Sequence, residues 1–103
     1  MKLRVGQTLM STVDSTSVVV VRASAEEVAV TCGGADMVDS KTGADAPRGV
    51  PDPDQVDGTL IGKRYADDEL GLELLCTKPG VGTLAVDGRP LPVKGARPLP
   101  ASD

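Results

Sequence analysis

The sequence contains no histidine, tryptophan or phenylalanine, and a single tyrosine, Tyr65. Each absence removes a class of chemistry. Without imidazole the chain lacks the side chain that most readily acts as a base near neutral pH, so it cannot pair a Ser or Cys nucleophile with a histidine. Without aromatic faces it offers no stacking platform for single-stranded nucleic acid. Its core must then be filled by Val, Leu and Ile. Long apolar runs are missing too. The longest, residues 18–21, is four residues, against the roughly 20 needed to cross a bilayer as a helix. Positive charge is scarce: 11 Lys and Arg against 15 Asp and Glu give a net charge of -4. Such a chain carries no basic stripe to neutralise phosphates or anionic lipid, so neither nucleic acid nor a membrane is an expected partner.

The opening stretch, MKLRVGQTLMST, has two basic residues but no apolar segment of the kind a secretory leader requires. A cytoplasmic protein is expected on that ground. In that compartment free thiols are the default and a structural disulfide the exception.

At 103 residues with 40% hydrophobic content, the chain reads as one globular domain. A chain of this length buries about two thirds of its unfolded surface, so its stability is marginal. It would gain from a metal, a partner or a second copy of itself. The 12 Gly and 8 Pro, with short valine-rich runs between them, are the texture of an all-β fold. Strands are expected over residues 3–10, 17–23, 28–32, 59–65, 72–77 and 83–86, with a last extended piece at 91–94. Turn chemistry separates them at Ser24-Ala25-Glu26-Glu27, at residues 67–71, at Pro79-Gly80-Val81-Gly82 and at Asp87-Gly88. Between residues 36 and 57 the alternation stops in an Asp-, Gly- and Pro-rich stretch, which reads as a long loop. The expected architecture is therefore all-β, a small barrel or sandwich of two hairpin units (residues 1–35 and 58–95) joined by a long acidic loop. An extended tail, residues 96–103, completes it. The two halves, SVVVVRASAEEVAVTCGG and TLIGKRYADDELGLELLCTK, share an order of basic residue (Arg22, Arg64), acidic turn and alternating strand ending in cysteine, as two comparable hairpins would.

Those cysteines, Cys32 and Cys76, are the chain's only thiols. Period-2 alternation places Cys32 on the side of Val28 and Val30, and Cys76 on the side of Leu72 and Leu74, with Glu73 facing the other way. Each thiol thus continues an inward apolar row, where a free cysteine packs as a small hydrophobe. Three other roles stay open. Zinc or iron could be held by Cys32 and Cys76, within one chain or across a homodimer, with Asp14 or Asp36 as weaker ligands. The two thiols could form a redox pair or a disulfide, the latter disfavoured by compartment. A catalytic cysteine is the least supported, because no histidine can act as its base.

The stretch STVDSTSVVVVRASAEEVAVTCGGADMV, residues 11–38, resembles the desulforedoxin domain, which also forms the N-terminal part of desulfoferrodoxin. The resemblance implies a small, typically dimeric β unit that binds one iron through four cysteines, an early CxxC and a later adjacent pair. Laid on this sequence, those ligand positions fall on Thr12, Ser15, Thr31 and Cys32, with one extra glycine after Cys32. Only Cys32 is a cysteine, and hydroxyls would not hold a tetrathiolate iron. The resemblance therefore implies a scaffold and argues against the family's electron-transfer role. The second half (GTLIGKRY, LELLCTKPG, VDGRPL) resembles short actinobacterial proteins, which brings no activity with it.

Smaller signals resolve to bland readings. The acids Asp52, Asp54 and Asp57 approach a calcium-loop spacing, but the third is late, Pro53 stiffens the start and no closing glutamate follows. Gly80-Val81-Gly82 is not followed by a helix that could bind phosphate. Tyr65 either anchors a partner or covers the core edge. The functional expectation is a small non-catalytic accessory or interaction protein, a homodimer or a subunit of a larger assembly; the alternative is the zinc- or iron-binding protein above.

Overall fold

The computed structural model describes residues 1–43 and 46–94; the C-terminal tail expected at 96–103 lies outside the described residues. Among the described residues every regular element is a strand. They are β1 (Thr8–Met10), β2 (Ser17–Arg22), β3 (Val30–Cys32), β4 (Ala35–Asp36), β5 (Val38–Asp39), β6 (Arg64–Asp67), β7 (Leu72–Lys78), β8 (Leu84–Val86) and β9 (Arg89–Pro90). They form two antiparallel sheets, ordered β5-β1-β2-β7-β6 and β4-β3-β8-β9. The all-β expectation holds. Of its two forms the sandwich is realised: the sheets are not closed into a barrel.

Alternation explains the shared core. Leu9, Val18, Val20, Leu74 and Cys76 point inward from the larger sheet, and Val30, Cys32, Leu84 and Val86 from the smaller one, all within one buried cluster. Met37, Val28, Leu3 and Leu91 fill the margins from connecting segments. Tyr65 belongs to the same cluster, and its hydroxyl accepts the Leu60 amide at 2.9 Å. It is a core residue with its polar tip satisfied.

The two-hairpin plan is half right. β6 and β7 pair directly, Tyr65 opposite Leu74, across the acidic turn. In the first unit the expected hairpin of β2 with β3 does not form. β2 pairs with β1 and β7, whereas β3 pairs with β4 and β8 in the other sheet. Ser24-Ala25-Glu26-Glu27 holds no residue suited to positive φ, which a tight hairpin needs, and this segment instead crosses between sheets. Ser24 steadies it by accepting the Glu26 amide, and Met1 docks against it through a Val28 amide to Met1 carbonyl bond of 3.0 Å. The tight turn comes later: Gly33 and Gly34, at φ 62° and 85°, reverse the chain between β3 and β4.

Two expected strands and the expected loop differ from what forms. Residues 3–10 contribute only β1, because Gly6 at φ 89° interrupts the extended run. Residues 59–65 contribute a single bridge, Thr59 opposite Gly80, and the strand proper begins at Arg64 after Gly62 at φ 78°. The expected loop at 36–57 contains β5, pairing Asp39 with Leu9. Its later part is tied to the body: Gly49 donates to Thr12, Asp52 to Gly33, and the Gln55 carbonyl accepts from Thr83.

Candidate functional site

The chemistry-bearing groups meet where the β1–β2 loop passes the end of β3. Ser11 starts the loop, its hydroxyl accepting the amides of Val13 and Asp14. Asp14 then turns inward. Its Oδ1 accepts the Thr16 amide at 2.9 Å and its Oδ2 the Gly82 amide at 2.7 Å, joining this loop to the β7–β8 turn. The Cys32 thiol lies 3.8 Å from Asp14 Oδ1 and 4.0 Å from Oδ2, a weak sulfur donor beside a strong acceptor.

Packing in this corner is tight. A side chain on Gly80 would run into the Thr16 hydroxyl and come within 2.6 Å of Asp14 Oδ2. One on Gly82 would lie 2.9 Å from Cys32 Sγ. The glycines of the Pro79-Gly80-Val81-Gly82 turn are needed for close approach, and φ plays no part at either position. Within the corner the Thr16 hydroxyl is fully buried and has no hydrogen-bond partner among the described residues.

The electrostatics favour a charged carboxylate and neutral thiols. Burial works against the Asp14 charge, but the amides of Thr16 and Gly82 more than offset it and hold the carboxyl below its ordinary range. Burial pushes the Cys32 thiol up, and the neighbouring Asp14 charge pushes it the same way. Cys76 is likewise raised by burial, with its S–H donating to the Lys78 carbonyl at 3.1 Å. Both thiols are free and buried. A protonated, enclosed thiol is a poor nucleophile and a poor metal ligand until it is opened and deprotonated.

Cys32 and Asp14 are thus brought together. Cys76 joins the same core on the β2-facing side, opposite Val18. Asp36 stands exposed on β4 and contributes nothing to the corner. Among the described residues no group of three or more Cys, Asp or Glu side chains converges as a metal site would require. The positions matching desulforedoxin ligands carry hydroxyls at Thr12, Ser15 and Thr31, so the donor set does not fit a tetrathiolate iron. Asp52, considered for calcium, spends one oxygen on the Asp54 amide in a solvated turn.

No family model, curated protein or solved structure matches this chain. Among the described residues no helix is long and apolar enough to cross a membrane.

Sequence reasoning passed over two features. Glu73 was expected to face away from the core, and it does, yet it is only 2% exposed. Lys94 at 2.7 Å and Arg64 at 3.3 Å cover it. Its neighbour Arg22, opposite it on β2, could have signalled this cluster. The second is apolar exposure on either side of the Thr59–Gly80 bridge, at Leu60 (59%), Ile61 (63%) and Val81 (56%).

Proposed function

We propose that this is a small non-catalytic interaction protein that self-associates as a homodimer, on a scaffold resembling a degenerate desulforedoxin unit. The observation that carries the reading is a group of exposed apolar side chains. The antiparallel Thr59–Gly80 bridge runs the segment carrying Val56, Leu60 and Ile61 alongside the β7–β8 turn that carries Val81, and all four side chains are exposed. Single exposed apolar residues are ordinary, but several on adjacent segments are the usual mark of an interface. The small aliphatic core adds a motive, since association would bury apolar area that the monomer leaves in water. The enclosed, protonated thiols and the missing histidine favour binding over catalysis.

Light scattering on the purified chain tests this. The expected result is a dimer that Ile61→Lys converts to a folded monomer. A wild-type monomer at all accessible concentrations would overturn it.

A second reading, zinc or iron bound through Cys32 and Cys76 with Asp14 as a weaker ligand, needs a partner copy to complete the donor set, since no three such groups converge among the described residues; the Cys32–Asp14 contact favours it. Native mass spectrometry of chelator-free protein separates the two. Added metal mass that is lost on denaturation and absent in Cys32→Ser supports the metal; a metal-free chain with two reduced thiols sinks it.

A further inference from the structure

On the outer face of the five-stranded sheet lies a groove of about 400 Å³, within the range of small-molecule sites. Its walls present more apolar than polar surface, Met10 included, and the polar groups are set into that surface. Ser17 and Thr77 rise from β2 and β7, Ser15 and Ser40 come from flanking loops, and Arg48 and Lys78 supply positive charge. The chain as a whole is acidic, so two cations converging on a hydroxyl-lined groove run against its general balance.

Among the described residues neither Arg48 nor Lys78 has a carboxylate within ion-pair distance. Arg48 is nevertheless fixed in place. Its Nη1 donates to the Ser11 carbonyl at 3.1 Å and its Nη2 to the Asp14 carbonyl at 2.7 Å. A guanidinium has five N–H donors, so these two anchors leave others for a ligand while fixing the plane of the fork. The one carboxylate lining the groove, Asp14, has both oxygens engaged by the amides of Thr16 and Gly82, and its single negative charge leaves the two cations in excess. The Ser17 and Ser40 hydroxyls make no hydrogen bond among the described residues. Ser15 donates to the Pro79 carbonyl at 2.7 Å and keeps its acceptor capacity.

We propose that this groove binds a phosphate monoester carried by a small polyhydroxyl molecule, a phosphorylated sugar or polyol. Arg48 and Lys78 take the phosphate oxygens in charge-assisted hydrogen bonds, and the serine and threonine hydroxyls take those of the ligand body. No aromatic side chain lines the groove to stack a base, which disfavours a nucleotide. The groove shares no lining residue with the apolar side chains assigned to self-association and stands or falls without them.

The test is a titration of the isotope-labelled full chain, followed by amide NMR shifts, with ribose 5-phosphate, inorganic phosphate and ribose. Expected are saturable shifts at Ser15, Ser17, Ser40, Thr77 and Lys78 with ribose 5-phosphate, weaker ones with phosphate and none with ribose. Lys78→Gln, an exposed position whose packing role is confined to its backbone, should bind about tenfold more weakly with an unchanged spectrum elsewhere. Arg48→Gln should weaken binding at least as much, while also loosening the loop it anchors. Equal binding by Lys78→Gln, a response to ribose matching that to ribose 5-phosphate, or shifts spread over every Lys and Arg would overturn the proposal. Inorganic phosphate binding as tightly as ribose 5-phosphate would overturn the polyol half of it.

Discussion

The Asp14 carboxylate accepts amides from its own loop and from the β7–β8 turn, so one side chain ties a loop of the larger sheet to the turn that leads into the smaller one. Asp14→Asn keeps the shape but turns an N–H₂ toward one of those amides. It should cost about 1–3 kcal/mol, the range for a lost charged hydrogen bond, measured as a reduced urea midpoint at neutral pH. The carboxyl titrates below its ordinary value of 3.8 when folded, so its stabilisation is complete above that value and is lost as pH falls through the folded pKa. The wild-type advantage over Asp14→Asn should therefore shrink on acidification; an advantage that grows below pH 4 would refute this account. Gly80→Ala belongs to the same corner. The added methyl meets Thr16 and Asp14, and overpacking of this kind costs about 1–3 kcal/mol. Thermal unfolding would show it directly.

At the scale of elements, β7 is the spine of the larger sheet, flanked by β2 and β6. Its inward side chains Leu72, Leu74 and Cys76 are buried, and Leu74→Ala should cost about 2–5 kcal/mol. On its outer face Glu73 works differently. Lys94 ties the segment after β9 to it, and that segment also bonds β6 through Pro92 to Ala66 and Lys94 to Arg64 backbone contacts. The edge of β6 is covered as a result, which removes a site for unwanted strand pairing. The ammonium of Lys94 holds the Glu73 carboxyl below its ordinary value of 4.5 against the opposing effect of burial. Glu73→Gln should raise hydrogen exchange at the Ala66 and Lys94 amides while leaving β3 and β8 unchanged. In wild type the same loosening should set in only as pH falls below that ordinary value. Unchanged exchange at Ala66 would show that the ion pair does not hold the strap.

At the scale of the whole molecule, both thiols sit inside the shared core. Alkylation of Cys32 and Cys76 should therefore follow global unfolding, with native protein protected and both sites modified together in denaturant. Fast modification of either thiol in the native state would contradict the packing described. Much of this arrangement is legible in sequence. Val28, Val30 and Cys32, like Leu72, Leu74 and Cys76, alternate with period 2, and a period-2 row can bury only one face. Gly33-Gly34 and Asp87-Gly88 are turn pairs because they supply positive φ. The candidate site is less legible. Asp14 and Cys32 are eighteen positions apart, and Gly82 lies on a turn that no local pattern connects to either.

The sequence by itself determined that this protein is all-β and which side chains of its alternating strands face the core, because alternation and backbone sterics act within a few residues. Only the tertiary structure decided which strands pair. It sent β2 and β3 to different sheets, closed Asp14 onto Cys32, buried Glu73 beneath Lys94 and gathered Arg48 and Lys78 into one groove. Those outcomes depend on contacts between distant segments, whose energies become comparable only once the whole chain competes for the same core.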